Sequence, residues 1–310
     1  MTVRKSDRII GCILGGAIGD AVGLPYEGQL PPVVVDLNGK QVSDDTQLTL
    51  ATCEAMIESN CVVDAAIIAS RFASWHRRRD VHGMGASTYK ALSGLVAGEH
   101  WALVGRKGEY AAGNGAAMRI APLAFCLDPL SSDARRTIRD VSRITHHNEE
   151  AYVGALAVTI AIQAACEQRW TGDSSLLRLV VEAIPDSKVR DRILAINAMS
   201  TVESVPEAGL RFGNSGYVVD SVPLALYAAQ QISSRSFESI MREVIHSGGD
   251  TDTIASISGQ IVGTLVGYKA LPNELSSQLE KFSFIEAIAM EFAATVVSNE
   301  SSSNDQRFEV

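Results

Sequence analysis

Two short acidic segments carry most of the side chains in this sequence that could do chemistry. They are residues 43–46 (Ser-Asp-Asp-Thr) and residues 250–253 (Asp-Thr-Asp-Thr), and each directly precedes apolar residues at helical spacing. Each is therefore expected at a helix N-terminus, where serine commonly caps the helix and aspartates complement its dipole. For the first segment taken alone, capping is the favoured interpretation.

The second segment makes metal binding an equal alternative. Gly248 and Gly249 precede it and permit backbone geometry that other residues resist. Asp250 and Asp252 can then converge on one point beside the hydroxyl of Thr253. Carboxylate and hydroxyl oxygens without His or Cys select Mg²⁺ or Mn²⁺ over zinc. The two segments could meet across a cleft and hold two ions, although spacing alone does not bring them together.

A glycine-rich segment, residues 113–117 (Gly-Asn-Gly-Ala-Ala), leads into a helix that we place near Met118. Its small side chains let backbone N–H groups approach an anion, and a helix N-terminus favours negative charge. The segment is neither a Walker A loop nor a dinucleotide-binding fingerprint that follows a strand. Without further context, a plain glycine turn is the favoured interpretation.

The elements that must position these segments are helices. Helical periodicity recurs and strand alternation is nearly absent, which predicts an all-α fold, with residues 31–42 the most typical of extended structure. No internal linker interrupts the chain, so we expect one domain, residues 1–298, followed by a flexible tail, residues 299–310. The predicted helices cover about 7–22, 46–59, 62–79, 84–97, 115–126, 132–144, 148–168, 174–184, 187–198, 218–232, 235–246, 252–268 and 273–296.

The overall composition limits the partners. A net charge of −9 creates no global field for polyanions, which argues against a general binder of nucleic acids or anionic membranes. No apolar stretch reaches the roughly 20 residues of a membrane span. Five scattered cysteines without a CxxC pair are typical of buried thiols in a reducing compartment, so we expect a cytoplasmic protein.

Five short motifs occur in order along the chain. They are residues 19–23 (Gly-Asp-Ala-Val-Gly), 43–46, 113–119 (Gly-Asn-Gly-Ala-Ala-Met-Arg), 145–146 (Thr-His) and 248–253 (Gly-Gly-Asp-Thr-Asp-Thr). Each motif is weak alone, but five in register between about residues 8 and 268 are specific. Together they resemble the ADP-ribosylglycohydrolase family, which includes the dinitrogenase-reductase-activating glycohydrolase. The resemblance implies an all-α fold with two Mg²⁺ or Mn²⁺ ions at the base of an ADP-ribose cleft.

The resemblance also implies a set of metal ligands. Many members have threonine at the position of Ser43, and the hydroxyl group is kept here. Asp252 would bridge the two ions. Asp44, Asp45 and Glu27 are the candidates for the catalytic carboxylate, and Asp45 is plausible as ligand or as base. Glu27 matches a glutamate that some members use as a ligand or catalytic carboxylate, and a solvent-facing loop residue is its alternative role. The implied ligands are Ser43, Asp44, Asp45, Asp250, Asp252 and Thr253.

A further set is implied to contact ADP-ribose. The glycine-rich segment would take the diphosphate, and His146 would line the cleft near phosphate or ribose. Tyr217 is as consistent with a core position as with a ligand contact. The implied contacts are Gly113, Asn114, Gly115, Ala116, His146, Tyr217 and Gly249.

The expected activity is hydrolysis of the bond between ADP-ribose and an acceptor, in an ADP-ribosylated protein or a small ADP-ribosyl compound. Two alternatives stay open. A metal-dependent phosphoester hydrolase of a nucleotide-like molecule explains the carboxylates, but not the pairing of segment 113–119 with segment 248–253. A non-catalytic, crystallin-like member would have lost metal ligands, whereas every expected ligand type is present.

Overall fold

The computed structural model describes residues 3–29, 34–199 and 203–305, and almost all regular structure within them is helical. The all-α prediction is confirmed, and the chain forms one domain around a continuous apolar core. Its helices are α1 (Lys5–Gly23), α2 (Asp44–Glu58), α3 (Ala65–Arg77), α4 (Ala86–Val96), α5 (Trp101–Val104), α6 (Ser132–Arg143), α7 (Glu149–Cys166), α8 (Leu176–Ala183), α9 (Lys188–Asn197), α10 (Val205–Phe212), α11 (Val218–Gln230), α12 (Phe237–Ser247), α13 (Thr251–Val266), α14 (Asn273–Gln278) and α15 (Phe282–Asp305).

Helices α1 and α13 form the centre of the core and run antiparallel with their backbones in contact. A Cβ atom on Gly15 would lie 2.3 Å from the carbonyl oxygen of Gly259, and one on Gly11 would lie 2.3 Å from that of Gly263. A methyl group does not fit at such separations, so glycine is required along this seam. The seam ends where the C-terminus of α1 meets the N-terminus of α13.

Several helix predictions differ from the structure. The predicted helix over 115–126 is instead two 3₁₀ turns, Asn114–Ala116 and Ala121–Phe125, because Pro122 favours a new start within the segment. The predicted helix over 273–296 is divided into α14 and α15. Helix α10 was missed, although Ser204 and Glu207 form a capping box at its start.

Three further features differ from the predictions or reach the limits of the described residues. Strands β1 (Arg106–Lys107) and β2 (His146–His147) pair in parallel, a contact too short for any alternation to reveal. Residues 34–42 are without regular structure, and residues 31–33 of the expected extended segment lie outside the described residues. Helix α15 continues to Asp305, beyond the predicted domain end at residue 298, and residues 306–310 lie outside the described part of the chain.

The expectation that no segment is long and apolar enough to cross a membrane is wrong. By length and composition alone, three described stretches qualify: Lys5–Tyr26, Glu149–Cys166 and Phe282–Ser301. In the first two, 83% of the apolar window is buried within the protein, compared with 33% in the third. The first two are therefore central core helices, and their apolar character comes from burial on all sides.

The five cysteines are free thiols, as the sequence predicts. Cys12, Cys53 and Cys61 are buried, and Cys126 and Cys166 are partly buried. Burial raises the pKa of Cys12 to about 12, so that thiol stays protonated and behaves as a small apolar side chain.

The seam between α1 and α13 gives a stability prediction. Gly15→Ala is expected to lower the free energy of unfolding by about 3 kcal/mol, since its methyl group would overlap the backbone of α13. Gly85→Ala is the control without a steric clash, because a Cβ there meets nothing within 4 Å among the described residues. Gly85 is the N-cap of α4, where alanine is less favourable than glycine, so its loss of stability should stay below about 1 kcal/mol. Chemical denaturation measures both, and equal stabilities would contradict a tight seam.

Candidate active site

The N-terminus of α2 is held by an aspartate from another helix. Ser43 caps α2 as predicted, accepting the N–H of Asp45 at 3.3 Å. The carboxylate of Asp20, in α1, accepts the N–H of Ser43 at 3.1 and 3.0 Å and that of Thr46 at 3.1 Å. The Thr46 hydroxyl also donates to it, at 2.5 Å. Asp20 therefore fixes the first turn of α2, from which the predicted ligands project.

Asp20 positions the first turn of α2, a role that was not predicted from the sequence. It belongs to the 19–23 motif and is fully buried. Burial raises its pKa to about 6, and the hydrogen bonds from Thr46 and Ser43 oppose that shift. The available signal was a lone carboxylate in a helix that is otherwise apolar from Ile9 to Val22.

The N-terminus of α13 depends on left-handed glycines. Gly248 and Gly249 have φ of 68° and 76°, a region that glycine adopts at little cost. A Cβ on Gly249 would also lie 2.2 Å from the Asn214 carbonyl oxygen, which accepts the N–H of Asp250 at 2.8 Å. These contacts aim Asp250 and Asp252 into the same space as the α2 cluster.

The two acidic segments meet, which spacing alone could not show. The Thr253 hydroxyl donates to Asp45 Oδ2 at 3.3 Å, which joins the first turns of α13 and α2. Glu27, Asp250 and Asp252 each bring a carboxylate oxygen within 4.8 Å of the others. Glu27 is brought there by its neighbour Gly28, whose N–H donates to the Gly249 carbonyl at 2.8 Å. Glu27 is an exposed residue, as the solvent-facing alternative expects, and its carboxylate nevertheless lies beside those of Asp250 and Asp252.

The carboxylates of this cluster disfavour one another's ionisation. Burial first, and the charge of Asp20 next, raise the pKa of Asp44 to about 8. Burial and Asp250 raise the pKa of Asp252 to about 10, while burial and Asp252 raise that of Asp45 well above its usual range. Burial and Asp250 also raise the pKa of Glu27. Grouped carboxylates of this kind become favourable when a cation neutralises them.

The donor set also fits a divalent cation at the level of individual atoms. Asp45 Oδ1 is buried and accepts no hydrogen bond from the described residues, so its lone pairs remain available. Among the described residues, no lysine or arginine forms an ion pair with Asp44, Asp45, Asp250 or Asp252. Hard oxygen donors without a protein cation suit Mg²⁺ or Mn²⁺.

The glycine-rich segment forms the wall opposite the carboxylates. Asn114 Nδ2 donates to Asp250 Oδ2 at 2.6 Å and to Ser221 Oγ at 3.1 Å, so the segment is tied to the acidic cluster. His146 packs on the segment, because a Cβ on Gly113 would lie 2.9 Å from its Nε2 and one on Gly115 would lie 2.7 Å from its Cε1. Glycine is needed at both positions to admit the imidazole.

A pocket of about 260 Å³ lies between these walls. Arg106, in β1, is its one lining arginine or lysine among the described residues, and the sequence carried no signal for it. Segment 83–87, before and within the start of α4, lines the pocket as well and was also missed. The predicted site residues that line it are Glu27, Asp44, Asp45, Gly113, Asn114, Gly115, His146, Asp250, Asp252 and Thr253.

Four predicted site residues do not line this pocket. Ser43 lies beneath the pocket, and its hydroxyl donates to Asp45 Oδ2 at 3.2 Å. Ala116 is fully buried. Tyr217 is half-buried, precedes α11 and forms an antiparallel β-bridge with Gly113. Gly249 acts through its backbone, as the acceptor for Gly28.

A larger cavity of about 710 Å³ lies on the other side of Ser43 and Gly83. Two of its three acidic lining residues are already paired: Glu54 accepts the indole N–H of Trp75 at 2.8 Å, and Asp80 pairs with Arg78 at 2.8 Å. The third is Glu280, and among the described residues it belongs to no convergent acidic group. The convergent, unpaired carboxylates lie in the smaller pocket, which is therefore the candidate active site.

The model of the ADP-ribosylglycohydrolase family matches residues 1–302. The chain belongs to the ADP-ribosylglycohydrolase family. By that membership it is a glycohydrolase, and the family resemblance noted in the sequence is confirmed.

Individual relatives span nearly all of the chain. An uncharacterised protein of Archaeoglobus fulgidus is 31% identical, with 91% of this chain and 95% of that protein aligned. The mouse ADP-ribosylhydrolase ARH3 is 25% identical over 92% of this chain and 91% of its own. The ADP-ribosylarginine hydrolase Tri1 of Pseudomonas putida is 28% identical, with 92% of this chain and 77% of that protein aligned.

Solved structures include a similar fold. An ADP-ribosylglycohydrolase-related protein complex superposes with a TM-score of 0.75 at 25% identity, covering 94% of this chain and 99% of the other. The all-α architecture is thus that of the family.

The role of Asp20 can be tested by substitution. Asp20→Asn is expected to lower the free energy of unfolding by about 2 kcal/mol, because an NH₂ group replaces one acceptor oxygen and would face the N–H donors of α2. Asp64→Asn is the control: Asp64 caps α3 at 2.6 Å on the surface, and asparagine caps about equally well. Thermal unfolding measures both, and equal losses would contradict a special role for Asp20.

Proposed function

We propose that this glycohydrolase is a binuclear Mg²⁺- or Mn²⁺-dependent enzyme that cleaves the glycosidic bond between ADP-ribose and an acceptor. The observation that carries the proposal is the convergence of the carboxylates of α2 and α13 beside a glycine-rich wall. Family membership supports ADP-ribose as the recognised group, since related proteins carry the names ADP-ribosylhydrolase and ADP-ribosylarginine hydrolase. The acceptor belongs to an ADP-ribosylated protein or a small ADP-ribosyl compound.

The chain offers two neighbouring groups of ligands. Ser43, Asp44 and Asp45 would hold one ion, and Asp250 and Thr253 would complete the other, with Asp252 between them. When bound, the ions would fix the ribose hydroxyls and lower the pKa of a water molecule. The unpaired Asp45 Oδ1 and the raised carboxylate pKa values support this assignment.

Glu27 is better suited than Asp45 to proton transfer. Its side chain is exposed at the pocket, whereas Asp45 is 2% exposed and its Oδ2 accepts the hydroxyls of Ser43 and Thr253. A raised carboxyl pKa brings Glu27 closer to neutral pH, where a general acid or base works best. The bond from the anomeric carbon to the acceptor would break through an oxocarbenium-like state while water forms the new C–O bond. Glu27 would accept the proton of that water and return it to the departing acceptor, so the step balances.

The opposite wall would bind the diphosphate. Gly113 and Gly115 carry no side chains to block an approaching anion, and Asn114 is held by Asp250 and Ser221. Arg106 supplies positive charge at the pocket, and His146 supplies an imidazole. We also propose a cytoplasmic location, which the five free thiols support.

The activity is tested by a panel of substrates. ADP-ribose release from arginine-linked, serine-linked and nucleic-acid-linked substrates is measured with Mg²⁺, with Mn²⁺ and with EDTA. We expect release from at least one substrate with a divalent ion and none with EDTA. Absence of release from every substrate under every condition would falsify the proposed activity.

The metal site is tested by Asp252→Asn. Release should fall by at least about a hundredfold, because the bridging carboxylate loses its charge and one oxygen donor. Asp133→Asn provides the matched control, since Asp133 also lies in the first turn of a helix, α6, but its side chain is 87% exposed. Wild-type rates in Asp252→Asn would rule out the proposed ligand set.

Glu27→Gln and Asp45→Asn separate the catalytic role from the ligand role. Glu27→Gln should lower kcat by about a hundredfold while keeping metal affinity within about tenfold. Asp45→Asn should instead abolish the rise in unfolding temperature that divalent ions produce. If the two variants exchange these effects, as measured by single-turnover kinetics and metal titration, the assignment is reversed.

A further inference from the structure

Arg119 is a fully buried arginine whose environment gives it little direct compensation. It lies between the two 3₁₀ turns that follow Gly113, and it forms no ion pair with any described residue. Its guanidinium lies 4.8 Å from the ring centroid of Phe72, and its Nε and Nη1 have no hydrogen-bond partner within the described part of the chain. Burying a charge in this way is unfavourable. The presence of an arginine here therefore needs a reason, and the two hydrogen bonds that Arg119 makes indicate one.

Those two bonds lead towards the pocket. Arg119 Nη2 donates to the Val141 carbonyl at 3.3 Å and to Thr145 Oγ1 at 2.8 Å. Thr145 Oγ1 lies 2.9 Å from His146 Nδ1. The backbone of Thr145 is fixed as well, because its carbonyl accepts the N–H of Arg106 at 3.0 Å. Arg119, Thr145 and His146 are therefore linked by continuous hydrogen bonds from the core to the pocket wall.

The donors and acceptors along these hydrogen bonds determine one proton position. Arginine only donates, so Thr145 Oγ1 is the acceptor in the first bond. The Thr145 hydroxyl hydrogen then needs an acceptor of its own, and among the described residues His146 Nδ1 is the one within reach. If Nδ1 carried the proton instead, Thr145 would accept twice and its buried hydroxyl hydrogen would be unsatisfied. The arrangement favours a bare Nδ1 and a proton on Nε2.

The imidazole is neutral and points its other nitrogen at the glycine-rich wall. Burial, followed by the charges of Arg119 and Arg106, lowers the pKa of His146 to about 3. Its Nε2 makes no hydrogen bond to the described residues and lies against Gly113, where His146 lines the pocket. A neutral ring with Nδ1 occupied as an acceptor presents one N–H there.

We propose that Arg119 and Thr145 are positioning residues that hold His146 as the Nε2–H tautomer, so that it donates to an anionic phosphate oxygen bound against Gly113–Gly115. The substrate half of this inference rests on the proposed function, and the tautomer half does not. In this role His146 cannot act as a base at Nε2, because that nitrogen already carries the proton. His146 is therefore a binding group, and proton transfer belongs to the carboxylates.

The tautomer is read directly from long-range ¹H–¹⁵N correlation spectra of histidine-labelled protein. The signals of His146, one of six histidines, are identified by their loss in His146→Gln. We expect a protonated, pyrrole-type Nε2 and an unprotonated Nδ1 in the wild-type protein. A proton on Nδ1 in the wild type would overturn the proposal whatever the enzyme's substrate.

Substitutions at Thr145 test the relay. Thr145→Val removes the hydroxyl and should give a mixture of tautomers, whereas Thr145→Ser keeps it and should preserve the Nε2–H form. Thr159→Val is the matched control, because Thr159 is equally buried but donates within its own helix, to Ala155 at 2.8 Å. An unchanged His146 spectrum in Thr145→Val would exclude the relay.

Arg119→Met tests the first link of the relay. Without the guanidinium donor, the Thr145 hydroxyl is free to rotate away from His146 Nδ1. The His146 signals should then broaden or shift towards those of a mixture of tautomers. If Arg119→Met does not fold, as judged by thermal unfolding, the Thr145 variants still decide the proposal. A folded Arg119→Met with wild-type signals would remove Arg119 from the relay.

Binding of ADP-ribose, measured by calorimetry without turnover, tests the substrate half. Thr145→Val should weaken binding by about tenfold and Thr145→Ser by no more than about twofold, as expected for one hydrogen bond to a charged group. Equal affinity in Thr145→Val and wild type would exclude the phosphate contact. If the wild type binds no ADP-ribose, the proposed function and the phosphate contact fail, while the spectra still decide the tautomer.

Discussion

The glycine seam between α1 and α13 is the contact on which the rest of the site depends. The helices are antiparallel, so Gly23 at the end of α1 packs on the first turn of α13, where a Cβ would lie 2.5 Å from the Thr251 carbonyl oxygen. The Thr251 hydroxyl closes this junction by donating to the Gly23 carbonyl at 2.8 Å. Asp20 and Glu27 lie just before and just after the junction. A wider helix separation would move both carboxylates away from Asp252.

A second constraint is the electrostatic repulsion between buried carboxylates, and it opposes the close packing of the helices. Close packing gathers Asp20, Asp44, Asp45 and Asp252 in a region with little water, where each raises the free energy of its ionised neighbours. Hydrogen bonds offset part of that cost. Asp20 accepts from Ser43 and Thr46, and Asp45 accepts from two hydroxyls. The remaining imbalance is what a divalent cation would remove, which links the fold of this glycohydrolase to its chemistry.

Local sequence patterns predicted the elements well where one interaction dominates. Ser43 caps α2 because its hydroxyl needs only the next two residues, and α6, α7 and α11 follow from apolar periodicity. The prediction failed at 115–126, where Pro122 starts a new turn, and at 273–296, where the backbone becomes extended at Leu279 and ends α14. It also missed α10, a short helix whose start is marked mainly by its capping box.

By itself, the sequence determined the helical class, the N-terminal placement of both acidic segments and the oxygen-rich chemistry of their side chains, since these depend on residue type and near neighbours. The tertiary structure alone decided that the segments meet, that Glu27 joins them and that Asp20 holds α2 in place. It also brought Arg119 to Thr145 across 26 positions of the sequence. Those facts depend on backbone separations set by packing between distant helices, and no local periodicity or spacing encodes a distance between two helices.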